Sequence, residues 1–369
     1  MNIGLFLGHP AHFHMLKHTA ENLQRDGHRV YVVIKKKDIL ESLCREAGLE
    51  YFKIREGRGG SKWGLIKSVL GMEYHMWQFI RRNKIDLLIG STLSFTAAKI
   101  HRIPVIVMGE DDADVVPNYA KLVYPFASDI LTPDSCNNGK WESKSSKYPS
   151  YHELAYLHPN HFTPDEKVVS VYGIDVTKPY FILRFASLNA HHDNGIKGIN
   201  ADIAQRLVDI LKPHGRIYMT SERSLEPQFE QYRIKINPLD MHHVMAFALL
   251  YIGDSQTMAA EAGVLGVPFV RFNDFVGRIG YLRELEDKYE LGYGIKASSE
   301  GSVEALCAHV QELVSMPSSE RNATFAKRRE VMLSDKIDCA KFLTWFIEHY
   351  PQSVAETKNA NKEFWKRFK

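Results

Sequence analysis

The side chains of this 369-residue chain that could do chemistry gather in short loops, each behind an apolar run. The first loop is Gly8-His9-Pro10-Ala11-His12-Phe13-His14. Imidazoles can bind phosphate, move a proton or hold a metal. A metal is the weaker use here, because only His12 and His14 are close and no carboxylate sits beside them. His12 and His9 are therefore candidates for an anion contact or acid–base work, with Pro10 and His14 completing the loop, and the alternative for His14 is to face the core. The second loop is Gly109-Glu110-Asp111-Asp112-Ala113-Asp114. Crowded carboxylates disfavour one another's ionisation, so one can become a proton carrier; such a cluster could also take Mg²⁺. Glu110, nearest the apolar run, is the catalytic candidate. Asp111 or Asp112 reads as a helix N-cap.

The second half carries more donors. Arg184, Ser187, Asn189, His191, His192 and Lys197 fall in one glycine-bearing stretch, a combination suited to a diphosphate. His191 is also a candidate acid or base. Ser221 follows in Thr220-Ser221-Glu222-Arg223. In Pro238-Leu-Asp240-Met241-His242-His243 the aspartate reads as an N-cap, and either histidine could reach a bound base or face solvent. The most informative stretch runs from Tyr251 to Arg271. An apolar run ends at Gly253-Asp254, then Ser255, Gln256 and Thr257 open an Ala-rich helix that stops at Gly266. Free backbone N–H groups and hydroxyls at such a helix start attract an anion. Glu261 is the one acid inside this otherwise small and apolar helix.

These loops need a scaffold that brings strand ends together. Apolar runs at 2–8, 28–34, 51–54, 86–90, 104–109 and 129–132 alternate with helical patterns at 12–26, 38–47, about 61–83 and 92–101. The alternation restarts with strands at 180–185, 216–220, 249–253 and 268–272, and helices at 200–212, 240–248 and 256–265. Helices at 302–314 and 338–349 close the chain. This is the pattern of parallel sheets covered on both faces, in two α/β domains. The expected division is 1–165, a linker at 166–178, 179–335, and a terminal helix and tail at 336–369 that could pack back on the first domain. Residues 134–178, rich in Ser, Lys, Pro and Tyr, read as the connection.

Composition excludes several classes. Apolar residues make up 44% and charged residues 25%, as in a globular protein. Lys+Arg 47 against Asp+Glu 44 is nearly balanced, which argues against nucleic acid as a partner. Cys44, Cys136, Cys307 and Cys339 have no paired spacing and read as reduced thiols. No apolar run approaches a membrane span and no secretory leader is recognisable, so a cytoplasmic protein is expected. Lys35-Lys36-Lys37 and the tail with Phe364, Trp365, Lys366, Arg367 and Phe368 leave contact with an anionic membrane surface open, against a solvated run and a tail packed by its aromatics.

The whole chain resembles the GT-B superfamily, two Rossmann-like domains facing a cleft, as in nucleotide-sugar glycosyltransferases and non-hydrolysing UDP-N-acetylglucosamine 2-epimerases. More narrowly it resembles an uncharacterised prokaryotic GT-B family. The residues that carry this are Pro10-Ala11-His12-Phe13-His14, Tyr156-Leu157-His158-Pro159, Arg184-Phe185-Ala186-Ser187 and Gly253 to Ala262. By that resemblance the second domain holds the nucleoside-diphosphate sugar, which is substrate rather than cofactor. Ser255 and Thr257 would contact phosphate, Glu261 the ribose, and Arg184 the departing pyrophosphate. The first domain would take a glycan or lipid-linked acceptor, with His12 or Glu110 as base. No bound metal is implied. Gln256 and Thr257 stand where the epimerases keep glycines. Glu110 matches an epimerase catalytic glutamate, but their catalytic aspartate falls at Ser91, and a further glutamate near Pro117-Asn118 has no counterpart. The expected activity is thus glycosyl transfer in surface-polysaccharide or glycoconjugate synthesis. The alternatives are epimerisation or hydrolysis of a nucleotide sugar, and a binding protein of the same shape without chemistry.

Overall fold

The computed structural model describes residues 1–35, 38–54, 62–90, 95–186 and 198–369. The chain divides into two compact units, Met1–His161 with Lys336–Lys369, and Phe162–Asp335. The first division falls at 161/162, a few residues before the expected 165/166. Residues 166–178 belong to the second unit, where Tyr172 donates its hydroxyl to Asp240 Oδ2 at 2.6 Å.

In the first unit the order is β1 (Asn2–Leu7), α1 (Pro10–Arg25), β2 (Arg29–Lys35), α2 (Asp38–Glu46), β3 (Tyr51–Ile54), α3 (Lys62–Asn83) and β4 (Leu87–Gly90). A π-helical turn (Thr96–His101) stands within the expected 92–101 helix; then come β5 (Val105–Met108), α4 (Pro117–Val123), β6 (Asp129–Pro133) and β7 (Ser145–Tyr148). The strands form one sheet in the order β3-β2-β1-β4-β5-β6-β7. Every pairing is parallel. β4 and β5 are buried along their whole length, which is why they read as unbroken apolar runs. β7 lies inside the stretch expected to be a connection. It is a short edge strand of polar sequence, Ser-Ser-Lys-Tyr, held by Ser146 Oγ donating to buried Asp129 at 3.1 Å.

The second unit runs α5 (Glu166–Ser170), β8 (Tyr180–Phe185), α6 (Ala201–Leu211), β9 (Arg216–Ser221), α7 (Met241–Ala246), β10 (Leu250–Gly253), α8 (Gln256–Leu265) and β11 (Phe269–Phe272). It continues with α9 (Gly280–Arg283), β12 (Gly292–Ile295), α10 (Ser302–Ser315) and α11 (Ser318–Asp335). Its parallel sheet has the order β12-β11-β10-β8-β9. The chain then returns to the first unit as α12 (Cys339–Glu348), α13 (Gln352–Lys358) and α14 (Lys362–Lys366).

That return is pinned chemically. Asp338 caps α12 through Lys341 N at 3.0 Å, and takes His161 Nε2 at 2.8 Å and Asn160 Nδ2 at 3.0 Å. Burial opposes ionisation of Asp338, but these donors outweigh it and hold the carboxyl below its usual range. Phe368 is buried, and the rings of Phe364, Trp365 and Phe368 pack on Phe342 and Trp345. The tail thus takes the packed alternative rather than presenting its aromatics to a membrane. No disulfide joins the four cysteines. Among the described residues no helix is long and apolar enough to cross a membrane.

Candidate functional site

Both sheets reverse their strand order at one point, and in such sheets the crevice outside the carboxyl ends at the reversal is where ligands bind. In the second unit the reversal lies between β8 and β10, with Arg184 opposite Gly253 and Thr220 beside Arg184. Gly253 is required there. A Cβ at that position would lie 2.6 Å from Tyr251 Oη and 2.8 Å from Arg184 O. In the first unit the reversal lies between β1 and β4. Gly90 closes β4 with φ +134°, and a Cβ there would meet Phe6 O at 2.2 Å.

At the β8/β10 reversal, Ser255 is the N-cap of α8, and its hydroxyl accepts from Met258 N at 3.5 Å. Gln256 and Thr257 form the first turn and are half-buried. Arg184 is paired with Glu222, the arginine mostly shielded and the glutamate half-exposed. Among the described residues, Arg184 Nε and Thr220 Oγ1 are buried with no hydrogen-bond partner. Ser221 Oγ donates to Arg223 O at 2.7 Å and accepts from Arg223 N at 3.1 Å, so it shapes a turn. Ser187, Asn189, His191, His192 and Lys197 lie outside the described residues, as does Ser91.

Glu261 is buried, with Oε1 3.0 Å from His242 Nε2. His242, expected at the surface or on a base, is also buried. A ribose contact through Glu261 would share or displace this bond. His243 Nδ1 accepts from Asp165 N at 3.0 Å, and burial lowers its pKa. Asp240 makes no side-chain cap to α7; its carboxylate serves Tyr172 instead.

Asp254 is the residue whose role the sequence did not disclose. It is fully shielded. Its Oδ1 accepts from Ala186 N at 2.6 Å and its Oδ2 from Ile199 N at 3.4 Å, with Arg223 3.9 Å away. Arg223 also donates to Ile199 O. One carboxylate therefore holds both ends of the donor-rich stretch between β8 and α6. Burial pushes the carboxyl up to about 6, against the pull of those hydrogen bonds and Arg223.

In the first unit, His9 is the N-cap of α1, accepting from Ala11 N, and Pro10 occupies the first turn, where its missing N–H costs nothing. His12 Nδ1 accepts from Gly8 N at 3.1 Å, which leaves Nε2 as the protonated nitrogen of a neutral ring. His14 is half-buried with its ring 5.3 Å from that of Tyr156. Glu110 follows β5; Oε1 accepts from His152 N at 2.8 Å, and Oε2 is 3.3 Å from His152 Nδ1. Asp112, expected to cap a helix, instead accepts from Asn137 N at 2.6 Å and ties two loops, while Val116 holds the cap position of α4. Among the described residues no group of His, Cys, Asp and Glu could hold a metal ion.

No protein-family model matches the sequence. No curated protein matches it either. Solved structures do match in fold. S. aureus MnaA in its co-structure with UDP superposes with TM-score 0.65 at 12% identity, over 96% of this chain and 98% of that one. The spinosyn rhamnosyltransferase SpnG complexed with thymidine diphosphate gives 0.63 at 14% identity, over 95% and 100%. The UDP-GlcNAc 2-epimerase of Neisseria meningitidis bound to UDP-GlcNAc gives 0.59 at 13% identity, over 91% and 99%. The chain has the GT-B fold. The match spans nearly the full length of this chain and of each of those, so the expected two-domain α/β fold class stands. A GT-B fold hosts transferases and epimerases alike, and the reaction must be argued from side chains.

Proposed function

We propose that the protein binds a nucleoside-diphosphate sugar at the carboxyl ends of β8 and β10 and transfers the sugar to a glycan or lipid-linked acceptor. The observation that carries this reading is Arg184 set opposite Gly253 where α8 begins. A guanidinium, a backbone stripped of its Cβ and the N-terminus of a ten-residue helix converge on one strand reversal.

The chain's residues then divide the work. Arg184 exchanges Glu222 for the diphosphate and neutralises it as it leaves. The N–H groups of Gln256 and Thr257 face the phosphates, and Asp254 ties Ala186 to Ile199 beside them. As the acceptor hydroxyl attacks the anomeric carbon, the bond from that carbon to the phosphate oxygen breaks, and the nucleoside diphosphate departs with the electron pair. The hydroxyl proton passes to a base, the role that the resemblance gives to Glu110 or His12. Arg184→Gln is expected to weaken nucleoside-diphosphate binding about ten- to a hundredfold, as loss of a charge-assisted contact implies.

Glu110 also favours a second reading, epimerisation, because it stands where the resembling epimerases carry a catalytic glutamate. Incubation with UDP-N-acetylglucosamine alone separates the two. Transfer requires that the sugar nucleotide survive unchanged until an acceptor is added; conversion without one contradicts transfer.

A further inference from the structure

The first unit carries an exposed face that the proposed chemistry does not use. Ile66, Leu70 and Tyr74 are exposed and spaced four residues apart on α3, so they share one side of the helix. Leu70 is 64% exposed. Trp77 extends the stripe, its ring stacked on Tyr74 at 5.9 Å, with the Arg81 guanidinium 5.5 Å above it. The π-helical turn packs beside α3 and adds exposed Ile100. Exposed Phe95 meets Phe126 edge-on at 5.7 Å, four residues beyond Leu122, which is 61% exposed on α4. Six of the ten large apolar side chains exposed among the described residues thus fall between Ile66 and Leu122. Scattered apolar residues need no explanation, but a concentration of this kind marks a surface that something covers.

Charge selects the partner. Lys67, Arg81, Lys99, Arg102 and Lys121 are exposed on the same elements. From Lys62 to Arg102 the only acids are Glu73 and Asp86. Glu73 is buried and spent on Phe95 N and Thr96 N, and Asp86 accepts from Asn2 N at 2.7 Å beside the start of β1. No acid occurs from Pro117 to Ser128. A chain that is almost neutral as a whole thus has an apolar stripe whose own elements, among the described residues, expose cations and no acid. A second copy docking by two-fold symmetry would set these cations against their own counterparts, which repel. Single-stranded nucleic acid would need a row of flat rings to stack on, whereas half of this patch is aliphatic.

We propose that this face docks on an anionic lipid surface, with the α3 stripe entering the headgroup boundary and the lysines and arginines meeting lipid phosphates. The proposal does not rest on the nucleotide reading. The test is co-sedimentation of the full chain with vesicles of phosphatidylcholine, pure or containing about one third phosphatidylglycerol, a content that gives an anionic surface potential. The wild type should sediment with the anionic vesicles only, and less as salt is raised. Leu70→Ser/Ile100→Ser and Lys67→Gln/Lys99→Gln should each lower the partition about tenfold or more while thermal unfolding stays unchanged. Failure of the wild type to bind anionic vesicles overturns the proposal, as does undiminished binding by both double variants. Light scattering is run alongside: a wild-type dimer that Leu70→Ser/Ile100→Ser dissociates, with no vesicle binding, would make the face a subunit interface and overturn it equally.

Discussion

Two buried carboxyls carry a cost that their surroundings only partly offset. Burial pushes Asp129 up to about 6, with Ser146 and nearby lysines opposing, and Asp254 sits at about the same value for the same reason. A carboxyl harder to ionise when folded favours the folded state at low pH. That contribution is complete below the ordinary value of 3.8 and is lost as pH rises through about 6. Asp129→Asn mimics the neutral form. The wild type should therefore lose about 2–3 kcal/mol relative to this variant between pH 4 and 7, read from denaturant unfolding at both pH values. Asp338 has the opposite sign: its stabilisation is present above the ordinary range and fades as pH falls through its lowered value. Glu261→Gln leaves buried His242 facing an amide, and thermal unfolding should show a loss of about 1–3 kcal/mol. Residue types at the candidate site were legible where the chemistry is local: Ser255, Gln256 and Thr257, polar after an apolar run, mark the start of α8, which needs only their neighbours. Asp254 was not, because its partners Ala186 and Ile199 are 68 and 55 residues away and are backbone groups, which leave no trace in residue type.

At the scale of elements, periodicity found what is regular and missed what is polar or irregular. Helix α8 and strand β8 fall where the pattern put them, since one is mostly small and apolar after a polar first turn and the other is buried on both faces. Helix α11 went unseen because its charged residues surround it and only Arg321, Phe325 and Met332 are buried. Strand β7 went unseen because an edge strand needs no apolar run. The turn at Gly253 gives the sharpest element-level test. Gly253→Ala must push apart β8 and β10, at about 1–3 kcal/mol for overpacking a rigid backbone contact. If thermal unfolding of this variant matches the wild type, the close approach that defines the reversal is wrong.

The molecule as a whole is two α/β units built on parallel sheets of seven and five strands, each with its own strand reversal. Its fold was legible because alternating apolar runs and amphipathic helices admit few topologies. Its reaction was not, because the same architecture serves UDP-bound, thymidine diphosphate-bound and UDP-GlcNAc-bound proteins at 12–14% identity. What the chain must do first, on the reading given, is hold a nucleoside diphosphate. Calorimetric titration of the intact chain with UDP, GDP, CDP and dTDP, repeated on Arg184→Gln, decides this. Saturable binding of at least one nucleotide, weakened about ten- to a hundredfold in the variant, is the predicted result. Heats of dilution alone for all four, or equal affinity in the variant, would contradict it.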